Sequence, residues 1–207
     1  MSTHAAASRP RAARRTQAER TEATVAALVR AARDLFAENG YEATSLEAVA
    51  ARAEVTKGAV YHHFKGKPQL FEAVFTREID DMAAPLLAAY RSKRDPWAGF
   101  HTACQAFLDL CLDAGTQRIV LLDAFTALGW ERMRRLEAPL LEMMETGIAR
   151  AVGAGRIAKR PAGPLAHFLF GALCETAMVV ARADDQPAAQ RQAVAELRRI
   201  LDGLVIG

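Results

Sequence analysis

The chain has 207 residues, 51% of them hydrophobic, and carries 27 Lys and Arg against 24 Asp and Glu for a net charge of +3. This length and apolar share exclude a wholly disordered polymer and leave room for one or two folded domains. The charge is uneven: residues 1–77 hold 12 Lys and Arg against 8 Asp and Glu, and the remainder is close to balance. A positive N-terminal third is what a phosphate-binding part requires. Three cysteines, Cys104, Cys111 and Cys174, provide no paired framework. On a shared helix Cys104 and Cys111 would stand roughly 10 Å apart, beyond bridging distance. The N-terminus lacks the apolar core of a signal peptide, and no run approaches the ~18 apolar residues of a membrane span, so a reducing, cytoplasmic location without a membrane partner is expected.

Residues 1–15, MSTHAAASRPRAARR, contain Arg9, Arg11, Arg14 and Arg15, no acid and no apolar period. They are expected to form a disordered basic arm, which is either a solvated tail or a set of cations for phosphates and an adjacent minor groove. From Thr16 to about Glu38 the residues Val25, Leu28, Val29, Ala32, Leu35 and Phe36 form one helical face, and Asn39-Gly40 supplies a left-handed stop. The next stretch, TSLEAVAARAEVTKGAVYHHF at 44–64, reads as two short helices around a tight turn. Thr44 followed by Glu47 fits a capping box, and Leu46, Val49, Ala50 and Ala53 make a narrow apolar stripe. Thr56 caps the second helix, whose Val60 and Phe64 point inward. Lys57, Gly58, Tyr61 and His62 are left outside. A helix can enter a major groove where its backbone is unobstructed, so Gly58 permits close approach, Lys57 reaches a phosphate or guanine edge, and Tyr61 and His62 donate to phosphates.

Pro68 then opens a long helix, where Lys67 and the free N–H groups suit a phosphate. Leu70, Phe71, Val74, Phe75, Ile79 and Met82 form its stripe, and Pro85 predicts a kink or break near Ala84. Asp95-Pro96 starts a further helix to about Asp113, with Trp97, Phe100, Phe107 and Leu108. Thr116 opens another, and Gly129 leads into an amphipathic run interrupted by Pro139. Residues 153–164 read as a linker. Residues 165–180 are apolar on nearly every side, and the last helix carries Val194, Leu197, Ile200, Leu201 and Leu204. No strand pattern, Gly-rich phosphate loop, G-x-S-x-G or paired-His metal motif is present.

Residues 21–75 resemble the N-terminal DNA-binding region of the TetR/AcrR family of bacterial transcriptional regulators. The resemblance rests on RDLFAENGYEATSL, AVAARAEVTKGAVYHHF and KGKPQLFEAVF, about a quarter of the chain. Leu-Gly-Trp-Glu at 128–131 adds weaker support. One departure is Glu54, at the turn position this family most often gives to Gly. A residue with φ > 0 there costs about 1 kcal/mol over Gly.

The resemblance implies an all-α, two-domain, homodimeric regulator of double-stranded DNA, most simply a repressor on a palindromic operator, with no catalysis and no cofactor. The expected division is a basic arm at 1–15, a three-helix helix-turn-helix domain at 16–66, a connecting helix at 67–92, and an effector-binding and dimerisation domain at 93–207. The DNA-contact candidates are Thr44, Thr56, Lys57, Gly58, Tyr61, His62 and Lys67. The expected effector is a small hydrophobic or amphipathic molecule held by Phe100, Phe107, Asp123, Trp130, Met133, His167 and Glu175. Leu165, Phe168, Leu169, Val194, Leu197 and Leu201 are the dimerisation candidates, on two helices that would form a four-helix interface with their symmetry mates. Three rivals remain at this level: a helical enzyme or binding protein with a helix-turn-helix-like corner, an architectural DNA binder without effector, and a thiol or metal sensor using His101, Cys104 and Cys111.

Overall fold

The computed structural model describes residues 16–206, so the basic arm at 1–15 lies outside the described residues. Helix α1 (Gln17–Ala43) starts at a capping box between Thr16 and Glu19, and Gly40 interrupts it with φ 81° and ψ 169°. That conformation is open to glycine at little steric cost. Helices α2 (Leu46–Arg52) and α3 (Lys57–His63) follow, and α4 (Lys67–Arg91) leads away from them. Leu28, Phe36, Val49, Val60, Leu70 and Phe71 are fully buried and lock the four helices together. Phe71 meets Phe36 and Tyr41 edge-on, with both pairs of ring centroids 5.1 Å apart.

The second half comprises α5 (Pro96–Leu110), the one-turn α6 (Ala114–Thr116), a π-helical segment (Gln117–Leu122), α7 (Ala124–Leu128), α8 (Trp130–Leu136), α9 (Ala138–Gly153), α10 (Ala162–Ala181) and α11 (Gln186–Asp202). Its core lies where α4, α5, α9 and α10 pack, around Phe100, Leu108, Ile148 and Leu173. Gly99 lets α5 come close, because a Cβ there would sit 2.5 Å from the Tyr90 carbonyl oxygen of α4.

Several expectations are corrected. Pro85 stays inside α4, which runs unbroken to Arg91. Ser45, not Thr44, caps α2 by accepting from the Ala48 N–H. The segment 153–164 is partly structured, since Ile157 is buried and bridges Val205. Finally, α10 is by length and composition apolar enough to cross a membrane, contrary to the reading that no run approached this. Leu169, Phe170 and Leu173 on one side of it are buried, and His167 and Glu175 are exposed on the other.

Candidate nucleic-acid interface and ligand cavity

The α2–α3 corner is built from caps. Ser45 and Thr56 each accept a backbone N–H of the helix they precede, from Ala48 (3.1 Å) and Ala59 (3.2 Å). Between the helices Glu54 holds a φ of 55°, the left-handed conformation the turn demands of a residue with a Cβ. Val60 and Phe64 anchor α3 inward, and its other face is left to solvent. On that face Tyr61 is 49% exposed, and Lys57, Gly58 and His62 are exposed beside it. A Cβ added to Gly58 would meet nothing closer than the Thr56 hydroxyl at 3.9 Å, so the fold itself does not require glycine there. Lys57 pairs with Glu47 of α2, and both side chains are more than half exposed. This contact raises the Lys57 pKa and lowers that of Glu47 through the hydrogen bond between them. An exposed pair of this kind holds weakly, so a phosphate can compete for the ammonium.

Two DNA-contact candidates are placed elsewhere. Thr44 is buried, and its hydroxyl donates to the Gly40 carbonyl at 2.8 Å, closing the end of α1. The Lys67 ammonium donates to the Tyr41 and Glu42 carbonyls at 2.9 and 3.0 Å and lies over the Tyr41 ring. It serves the last carbonyls of α1 instead of facing outward.

Polar ties join this corner to the rest. The Asp123 carboxylate accepts from the Tyr41 N–H (2.7 Å) and from Arg118 Nε (3.1 Å). Arg33 of α1 donates to Glu78 of α4 (2.8 Å) and to Asp113 (3.2 Å), which itself caps α6 at the Thr116 N–H. That cap, ahead of the Arg33 contact, holds the Asp113 carboxyl below its ordinary pKa. Arg132 of α8 pairs with Glu72 of α4. The stretch of α6 and the π-helical segment is therefore tied to α1 on both sides, at Asp113 and at Asp123.

A half-open cavity of about 400 Å³ lies between the last turns of α4, α5 and α9, with Phe170 and Leu173 of α10 behind it. Phe100 and Phe107 line it as expected, together with Leu86, Tyr90, Met143 and Met144. The other ligand candidates do not. Asp123 is committed to the ties just described, and Trp130 is 56% exposed beneath the Arg134 guanidinium. His167 and Glu175 face solvent on α10, and Met133 is half-buried outside the cavity lining. Tyr90 continues the lining one turn beyond Leu86 on α4, and Leu140 and Gly147 flank Met143 at helical spacing on α9. Cys104 also lines the cavity, but burial pushes the thiols of Cys104, Cys111 and Cys174 up to about 12. Thiols held protonated at neutral pH make poor nucleophiles, which argues against a thiol sensor.

Of the dimerisation candidates, Phe168 is 71% exposed and Leu165 half-buried on α10. Leu169 and Leu201 are buried within the subunit, and Val194 and Leu197 pack partly against its core. Val179 and Ile200, 60% and 51% exposed, are outward apolar residues of α10 and α11 that the candidates omitted.

Residues 28–74 match the profile of bacterial regulatory proteins of the tetR family, and residues 97–204 match the tetracyclin repressor-like C-terminal domain. The chain belongs to the TetR family of bacterial transcriptional regulators. A TetR-family regulator of known structure from Pectobacterium atrosepticum is 36% identical, superposes with a TM-score of 0.82, and covers 93% of this chain and 99% of its own. The TetC protein of transposon Tn10 from Escherichia coli is 31% identical over 58% of this chain. The transcriptional repressor Rv3405c of Mycobacterium tuberculosis is 47% identical over 32% of it. These two matches span 60% and 35% of the relatives' own lengths. In this TetR-family chain the tetR profile takes in the whole of α2 and α3, and the C-terminal profile takes in α5 to α11, including most of the cavity wall.

Proposed function

We propose that this TetR-family protein is a cytoplasmic, homodimeric repressor that binds a palindromic operator and is released by a small hydrophobic or amphipathic effector. The observation that carries the reading is the outward face of α3: Tyr61, Lys57, Gly58 and His62 are exposed to solvent while Val60 and Phe64 fix the helix from behind. Residues 16–66 form the reader, 67–92 the connecting helix, and 93–207 the effector and dimer domain. The basic arm at 1–15 adds phosphate contacts. Phe168, Val179 and Ile200 pack on their copies across a two-fold axis, and that symmetry sets the symmetry of the DNA site. One helix joins the two functions. α4 contributes Leu86 and Tyr90 to the cavity and Leu70 and Phe71 to the reader core, roughly 24 Å apart at 1.5 Å per residue. An effector acts by binding better to the arrangement in which the two readers no longer match their half-sites.

Selection of genomic fragments by the purified protein tests this. Enrichment of an inverted repeat with half-sites about one helical turn or somewhat more apart supports it. Recovery of fragments without shared sequence sinks it.

A further inference from the structure

The rim of the α4–α5–α9 cavity is charged in a definite order. Along α9 the rim residues are Glu142, Thr146 and Arg150, one per turn, with apolar Met143 and Gly147 beside them. Arg91, at the end of α4, also lines the cavity, next to Tyr90. The Arg150 guanidinium lies 5.9 Å from the centre of the Tyr90 ring, which brings Arg150 to the same end as Arg91. Glu142 is eight residues away, about 12 Å along the helix. Among the described residues neither Arg91 nor Arg150 forms an ion pair. Each sits in the last turn of its helix, where a cation offsets the helix dipole, but that role does not require both to line one cavity.

Taking this cavity as the effector site proposed above, we infer that its ligand is a singly anionic amphiphile, with an acidic head between Arg91 and Arg150 and an apolar body along Phe100, Met143 and Phe107. Paired guanidinium groups suit a carboxylate, because their N–H donors match its two oxygens. The walls beyond the rim are almost wholly apolar, which suits an unbranched hydrocarbon or a flat ring system. Glu142 at the opposite end of the rim repels a second acid and so selects against dianions.

The test uses three ten-carbon probes below their micelle concentrations: decanoate, decanol and decyltrimethylammonium. Trp97 stacks on Phe100 at 5.0 Å with the rings 3° from parallel, so its fluorescence reports on the cavity. Trp130→Phe removes the other, exposed tryptophan. Decanoate is expected to bind at least tenfold more tightly than either other probe. The double variant Arg91→Gln, Arg150→Gln is expected to erase that preference while decanol still binds and the protein stays folded, with only a small fall in melting temperature from the two lost helix-end cations. Equal binding of all three probes, or a preference for decanoate that survives the double variant, overturns the anionic head and leaves the effector cavity standing. Failure of all three to bind overturns the cavity as effector site and this inference with it. Operator binding, measured in parallel, reports on the DNA-reading half alone.

Discussion

Glu54 is the residue at which sequence and fold disagree most openly, since its φ of 55° is one that glycine adopts without cost. Glu54→Gly is therefore expected to stabilise the protein by about 1 kcal/mol, read as a higher urea midpoint at unchanged slope. This strain was legible from the sequence once the turn was recognised. Thr44 was not legible in the same way. Thr and Ser both make good N-caps, and the choice between them depended on α1 continuing past Gly40 to Ala43 and needing the Thr44 hydroxyl at its own end. Lys67 likewise looked free because the carbonyls it serves lie 25 and 26 residues earlier in the chain. Lys57 was placed correctly on the outer face, but its pairing with Glu47 crosses from α3 to α2. Glu47→Gln releases that ammonium, and tighter DNA binding with a steeper dependence on salt is expected; a titration at several salt concentrations reads both.

Among the elements, α4 runs from the reader core to the cavity, and the π-helical segment packs against α1, α4 and α10. The apolar stripe of α4 was visible in the sequence, yet Pro85 suggested an interruption that the structure does not contain. The π-helical turn has no signature in residue spacing, because its Ile119, Val120 and Leu121 are buried in succession and not on one periodic face. Asp123, at its end, is an acid in an apolar run. Which partner it takes was fixed only by the fold, which brings the Tyr41 N–H from 82 residues away. Asp123→Ala leaves that N–H and Arg118 without their acceptor and is expected to cost about 1–3 kcal/mol in urea unfolding. It is also expected to blunt effector release of DNA at effector concentrations that saturate the cavity. Full release by the variant would show that signals bypass this tie.

For the whole molecule, the helical content was readable from periodicity and caps, and the division into two domains from the family resemblance carried by residues 21–75. The inner and outer faces of α10 were not, since a helix apolar on nearly every side gives no direction, and on α11 the adjacent Ile200 and Leu201 gave no sign of which one turns inward. The structure separates them. Leu201 is fully buried within the subunit, so Leu201→Ala is expected to lower stability by about 2–5 kcal/mol. Phe168 points outward, so Phe168→Glu is expected to leave the fold intact and yield monomers in sedimentation. Those monomers should bind a half-site as weakly as the intact protein does and lose the added affinity of the palindrome.

The exposed face of α3 is expected to be the part that reads DNA. Its most direct measurement is the affinity of the intact protein, Lys57→Ala and Tyr61→Ala for the selected operator across a range of salt concentrations. At least a tenfold loss is expected for each variant, with a salt slope reduced by about one for Lys57→Ala. Unchanged affinity and unchanged slope in both variants would contradict it.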